Sequence, residues 1–146
     1  MIFSMQQLFS DDQAITASAD STNVIDLGVP GTPYGGKAPL HQDIGKGAEI
    51  PILAQVTEDM TAAGAATLVI NVSTGATTAL GTTIASVGPI AVADLVAGYQ
   101  MAIQVLPNQI TERYLGLEYV VATGPMTAGN ITAGITMGNQ TNVTGA

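Results

Sequence analysis

The sequence predicts an all-β protein, a sandwich or barrel of seven or eight short strands. Apolar residues recur at every second position in five runs, which are 50–56, 68–73, 101–106, 115–121 and 131–137. Because successive side chains of a strand point to opposite faces, each run offers one apolar face to a core. Glycine and proline separate the runs, and the enrichment in threonine and valine within them favours strands over buried helices.

The remaining elements follow from weaker patterns. Further strands are expected at 13–17, 22–27 and 80–87, and a helical turn at 92–97. Gly-Pro pairs and small-residue clusters predict turns at 28–36, 45–47, 62–66, Gly75, Gly88-Pro89, 107–108 and Gly124-Pro125. A chain of 146 residues suits one domain. We therefore expect a single domain over 1–146, with an extended N-terminal arm over 1–12 and a polar tail over 138–146.

The composition describes a protein with an unusually uncharged surface. Only 10% of the residues are charged, against about 25% in an ordinary soluble domain. The 47% hydrophobic content is too high for a disordered chain, so the surface must consist mainly of Thr, Ser, Asn, Gln, Gly and Ala. Such a surface suits a protein that packs against others, with a neutral-surfaced monomer as the alternative.

The charge balance argues against two classes of partner. Lys and Arg together number 3 against 11 acidic residues, for a net charge of −8. A DNA-binding protein typically neutralises several phosphates with Lys and Arg, so we expect no nucleic-acid partner. The same shortage of cations argues against binding to an anionic membrane surface.

Targeting signals are not expected either. The first apolar residues are preceded by no Lys or Arg, which is not the pattern of a signal peptide. The uncharged stretch between Asp59 and Asp94 is interrupted by five Gly and Pro residues and cannot supply a spanning helix of about 20 apolar residues. Together with the absence of cysteine, this favours synthesis in a reducing cytoplasm.

The sequence contains no convincing motif of an active site. His41 is the single histidine, and with no cysteine it cannot complete a zinc site. The acidic pairs Asp11-Asp12 and Glu58-Asp59 would point to opposite faces of a strand, so neither pair presents two carboxylates to one site. We expect no enzymatic activity, no metal and no cofactor; a small β-fold hydrolase that uses His41 is a remote alternative.

Candidate interface residues come from three places in the chain. The N-terminal segment is too apolar to remain in water, and we expect Phe3, Leu8 or Phe9 to bury against a neighbouring protein subunit, with Phe9 closing one end of its own core as the alternative. Residues 28–48 form the longest irregular segment and carry Lys37 and Lys46, which predicts a locally basic binding loop. Arg113 is expected to form either a surface pair with Glu112 or Glu118 or a pair across a subunit boundary.

Across most of its length the sequence resembles the cement, or decoration, proteins of tailed-bacteriophage capsids, of the type found on the Bordetella podophage head. The matching segments are Leu8-Phe9-Ser10-Asp11, Asp43-Ile44-Gly45-Lys46-Gly47 and Glu112-Arg113-Tyr114-Leu115, with Ala14, Thr16, Glu49 and residues 21–28, 61–68 and 122–129. None of these segments is catalytic, and it is their order along the chain that carries the resemblance. Residues 29–40 and the tail past Gly138 lie outside it.

The resemblance implies a jelly-roll sandwich without enzymatic activity. It further implies a location on the outer surface of the virion capsid, where many copies bind the shell of major capsid protein. Such proteins clamp capsomer junctions as oligomers, and we expect a homodimer in preference to a trimer. The alternative function is a carbohydrate-binding or adhesin-like jelly-roll module, although four Tyr and two Phe provide few aromatic residues for a glycan platform.

Overall fold

The computed structural model describes residues 3–37 and 48–137. Within these ranges the chain consists of strands joined by loops and by three short 3₁₀ turns. The elements, in chain order, are η1 (Met5–Gln7), β1 (Leu8–Ala14), β2 (Ala19–Asp20), β3 (Ile25–Asp26), β4 (Ile50–Ala62), β5 (Thr67–Gly75), β6 (Thr82–Ala91), η2 (Val92–Asp94), β7 (Gln100–Val105), η3 (Pro107–Gln109), β8 (Tyr114–Ala122) and β9 (Met126–Ile135).

The strands form two antiparallel sheets that pack face to face. The first sheet has the order β1-β9-β4-β7, and the second has the order β2-β8-β5-β6, with β3 also pairing with β8. The two short strands β2 and β3 therefore act as one interrupted strand. The chain crosses repeatedly between the sheets, and this strand order is that of a jelly roll. The predicted all-β, jelly-roll-type sandwich of about eight strands is confirmed.

The core lies between the sheets and is built from the residues that the period of two predicted. On β5, Leu68, Ile70 and Val72 are fully buried, while the alternate residues Val69 and Asn71 are half-buried on the outer face. The matching inward residues of the first sheet include Ile52, Ala54, Val56, Ile131 and Ala133. Burial of these aliphatic side chains is the main favourable contribution to folding, at about 25 cal/mol per Å² of apolar surface.

One predicted turn differs from the structure. The expected turn at Gly88-Pro89 is wrong, because this cis-linked pair lies inside β6. Proline is tolerated there because β6 is an edge strand. On its outer side no neighbouring strand needs a backbone N–H donor, so the missing N–H costs no inter-strand hydrogen bond there. The turn expected at 107–108 is confirmed as the 3₁₀ turn η3, and the helical turn expected at 92–97 is confirmed over Val92–Asp94 as the shorter 3₁₀ turn η2.

The N-terminal segment corrects the prediction of an arm over 1–12. Leu8–Ala14 is an integral strand of the first sheet and pairs with β9. Two residues of β1 oppose one of β9 between Leu8 and Ser10, and this bulge lets both Phe9 and Ser10 point inward. Phe9 is fully buried in the core, so residues 8–12 belong to the sandwich itself.

A polar network crosses the core next to Phe9. The Ser10 hydroxyl donates to Gln13 Oε1 at 2.7 Å, which leaves its oxygen to accept a hydrogen bond from the Tyr119 hydroxyl at 2.8 Å. Gln13 also accepts from the backbone N–H of Thr22 and donates to the carbonyl of Asp20. The network joins β1 of the first sheet to β2 and β8 of the second. Because Ser10 and Tyr119 are both fully buried, losing one partner leaves a buried polar group unsatisfied.

Alkaline unfolding is expected to depend on Tyr119. Burial raises the pKa of Tyr119 from 10.0 to about 12, partly offset by its hydrogen bond with Ser10. The folded state therefore retains this proton more strongly than the unfolded state, and stability falls as the pH rises from about 10 to about 12. A shift of this size corresponds to a loss of roughly 2–3 kcal/mol. Urea unfolding between pH 8 and 12 measures this loss, and the free energy of unfolding of Tyr119→Phe should fall less steeply with pH. Equal pH dependence of the unfolding free energy in both proteins would contradict the assignment of this loss to Tyr119.

Candidate interaction surface

One end of the sandwich holds an apolar cleft between the two sheets. Its volume is about 100 Å³. The cleft is lined by residues at the end of the second sheet, by the first residue of β4, by the last residue of β9, and by residues in and directly after η3. The lining residues are all aliphatic or proline, namely Ile25, Leu27, Ile50, Pro107, Ile110, Leu115 and Ile135.

The 3₁₀ turn η3 explains how this end is built. Pro107 begins the turn with a φ that its ring fixes in the helical range, and Gln109 closes it by accepting the Leu106 N–H at 3.1 Å. The turn carries the chain from β7 in the first sheet to β8 in the second. Ile110, which follows, is only 4% exposed and forms part of the cleft wall.

Exposed apolar side chains occur in, or next to, the chain segments that line the cleft. Leu27 lines it and is 36% exposed, and Leu106, directly before Pro107, is 42% exposed. Val29 and Met137, each two residues from a lining residue, are also exposed. Clustered exposed apolar side chains mark interaction sites more often than scattered ones do. This end of the molecule is therefore the candidate interaction surface, and we call it the apolar end.

An ion pair fixes the second-sheet side of the apolar end. Arg113 binds Asp26 through two hydrogen bonds of 2.7 Å, from Nε to Oδ1 and from an Nη to Oδ2, and its guanidinium lies 4.9 Å from the ring centroid of Tyr114. The backbone N–H of Leu27 donates to the carbonyl of Arg113 at 2.9 Å. The Arg113 guanidinium and the Gly28 N–H lower the pKa of Asp26 to about 2. These contacts hold Leu27 at the cleft.

The pairing of Arg113 corrects the prediction from sequence. Glu112 and Glu118 were the expected surface partners, whereas Asp26 is the partner in the structure. The reason is the register of β3 on β8, which places Asp26 directly opposite Tyr114, next to Arg113. This pairing satisfies the guanidinium within the chain, and the prediction of a pair across a subunit boundary is untested.

The other predicted interface residues are distributed differently from expectation. Phe9 is in the core and cannot contact a partner. Phe3 and Leu8 are half-buried beside Gly134 of β9. Leu8 pairs with Gly134, and the Phe3 ring covers it so closely that a Cβ on Gly134 would lie 2.9 Å from Phe3 Cδ1. Lys37 is exposed in the segment that leaves the cleft after Leu27. Lys46 and His41, like the tail past 137, lie outside the described residues.

Charge is distributed unevenly along the sequence with respect to this end. All three cations fall in the sequence ranges 26–50 and 112–113, together with four acids, and these residues are Lys37, Lys46, Arg113, Asp26, Asp43, Glu49 and Glu112. The other seven acids have no cation among them: Asp11, Asp12, Asp20, Glu58, Asp59, Asp94 and Glu118. The net charge of −8 therefore divides into −1 for the first group and −7 for the second.

Over 3–37 and 48–137, no three His, Cys, Asp or Glu side chains are grouped so as to hold a metal ion. Within the same ranges, no helix is long and apolar enough to cross a bilayer.

The fold and this end together define a jelly-roll sandwich whose most distinctive described surface is an apolar end. The chain belongs to the Bbp16 family, whose model matches residues 9–135. That match begins at the buried Phe9 of β1 and ends at Ile135 in the cleft, so it spans the whole sandwich. The family name indicates a Bordetella phage protein. No curated protein sequence matches the chain.

Proposed function

We propose that the protein is a capsid cement protein of a tailed phage, which binds the outside of the assembled shell of major capsid protein and clamps neighbouring subunits. Membership of the Bbp16 family is the observation that carries this proposal. A jelly-roll fold is shared by many unrelated functions and does not carry it alone. The apolar end adds a surface of the kind that a docking protein needs.

The clamp acts through binding linkage. A protein that binds only the assembled shell stabilises that state by RT ln(1 + [L]/Kd) per site, about 2.7 kcal/mol at a concentration of 100 times Kd. The binding surface must straddle two shell subunits, because a site within one subunit gives no preference for the assembly. A two-fold dimer meets this requirement with two identical patches, and a trimer at a local three-fold axis is the alternative.

Copurification with phage heads tests the proposal. Purified heads should contain this protein in a ratio near one to one with the shell protein, and it should be removable without opening the shell. Recombinant protein should bind stripped heads and should not bind dissociated shell subunits. Heads that contain only traces of the protein, or equal binding to dissociated subunits, would contradict a cement role.

A further inference from the structure

Strand β6 forms an open edge of the second sheet and is the longest of the described edge strands. It spans ten residues and, within the described ranges, pairs only with β5. Its side chains Ile84 and Val87 pack against the core but remain only half-buried. An edge strand presents backbone N–H and C=O groups that can pair with a further strand. The core of the sandwich is therefore incompletely covered along β6.

The edge at β6 also differs in charge from the other described edges. Strand β1 carries Asp11 and Asp12, and the opposite edge of the second sheet carries Asp20 in β2 and Asp26 in β3. Strand β6 lies inside an uncharged stretch over residues 60–93. Strand β7 is uncharged as well, but its inward side chains are at most 5% exposed, so that edge leaves no core to cover.

This charge pattern fits β6 to a second copy of the same chain. Two copies each carry a net charge of −8, so they associate most easily where few like charges meet. Within the second sheet, the first acid reached from β6 is Glu118 of β8, two strands away. In a sheet continued through β6, the two Glu118 residues would be five strand spacings apart, about 24 Å, against a Debye length of about 8 Å. Pairing through β1 would instead place Asp11 and Asp12 of both copies on adjoining strands.

We propose that the β6 strands of two copies pair antiparallel about a two-fold axis and join the second sheets into one continuous sheet. The inference rests on the proposed cement function, whose clamp needs two identical patches. Pairing of a strand with its own copy is closed by the two-fold axis, so it produces a dimer and not a fibre. Pro89 has no N–H to donate, which ends the pairing at residue 88. The residues that line the apolar cleft are not in β6, so this interface does not use them.

A single acid placed on the edge tests this interface. Thr83 of β6 and Gln104 of β7 are both exposed on uncharged edge strands, so Thr83→Glu and Gln104→Glu are matched substitutions. Sedimentation velocity over a concentration series should show the unsubstituted protein as a dimer. Thr83→Glu enters the two-fold interface twice and should weaken the dimer by about tenfold or more. Gln104→Glu should dimerise like the unsubstituted protein, and both variants should keep its far-UV circular dichroism spectrum.

Cross-linking locates the contact independently. The chain contains no cysteine, so an introduced thiol reports only its own surroundings. Ser86→Cys is exposed on β6, and Gln104→Cys is the control on β7. A short bis-maleimide should join Ser86→Cys into covalent dimers at concentrations where Gln104→Cys stays monomeric on a denaturing gel. A monomeric or trimeric unsubstituted protein, equal dimerisation of Thr83→Glu, or preferential cross-linking through Gln104→Cys would overturn the proposal.

Binding to stripped heads separates this inference from the cement function. If the unsubstituted protein dimerises through β6 and does not bind heads, the cement function fails and the interface stands. If it binds heads as a monomer or a trimer, the β6 interface fails and the cement function stands. When both hold, Thr83→Glu should bind heads more weakly than Gln104→Glu, because a separated copy has one patch and loses the gain from two linked sites.

Discussion

Phe9→Ala is expected to lower the free energy of unfolding by about 3–5 kcal/mol, which approaches the whole stability of many small domains. Phe9 is fully buried in the core between the sheets. Its carbonyl also accepts the backbone N–H of Asn23 at 2.9 Å, which ties β1 to the segment leading into the second sheet. Chemical denaturation with urea measures the loss.

Leu8→Ala is the matched control for Phe9→Ala. Leu8 is the preceding residue of the same strand but is only half-buried. Leu8→Ala should therefore lower the free energy of unfolding much less than Phe9→Ala does. A chain that starts at Gln13 would lack Phe9 and most of β1 and is expected not to fold. A folded truncation of this kind, or equal losses for both alanine variants, would restore the interpretation of residues 1–12 as a separate arm.

Gly129→Ala is expected to destabilise the chain by about 3 kcal/mol or more, because two penalties combine at this position. Gly129 has φ +132°, a conformation that L side chains rarely adopt. A Cβ there would also lie 2.8 Å from Met60 Cα, in the irregular part of the pairing between β4 and β9. The carbonyl of Gly129 accepts the N–H of buried Ile15, so this backbone cannot shift without breaking that contact.

Gly124→Ala separates the two penalties. Gly124 has φ +113°, nearer to that of Gly129, but a Cβ there would meet nothing within 4 Å. Its alanine variant should therefore lose only the conformational part, about 1–2 kcal/mol. The difference between the two variants, measured by thermal or urea unfolding, isolates the clash with Met60. Losses of the same size would show that the sheet relaxes at Gly129 without cost.

The sequence predicted the central strands well because they alternate without interruption. On β5 and β8, the inward residues are apolar or aromatic except for the buried Thr74, and the period of two locates the strands to within a few residues. Strand β1 was predicted only at its last two residues, within the strand expected at 13–17, because two irregularities in its pairing with β9 break the alternation. Strand β6 gave a weak pattern for the same reason, since its pairing with β5 is irregular at two points.

The apolar end could not be predicted from the sequence. Its lining comes from five separate segments, and residues such as Ile50 and Ile135 match ordinary core positions at the ends of strands. Only the register between strands shows that they meet around an open volume. The partner of Arg113 was missed for the same reason, because the pairing of Asp26 with Tyr114 is a long-range contact without a local signal.

The temperature at which filled heads release DNA, with and without this protein, tests the central claim most directly. A clamp that favours the assembled shell at many sites should raise this temperature, because packaged DNA pushes shell subunits apart and each bound clamp opposes their separation. Heads that lack the protein should assemble and then release DNA at a lower temperature, and adding back the unsubstituted protein should restore the higher value. Identical release temperatures for decorated and undecorated heads would contradict the cement function and favour an adhesin-like or surface-display role.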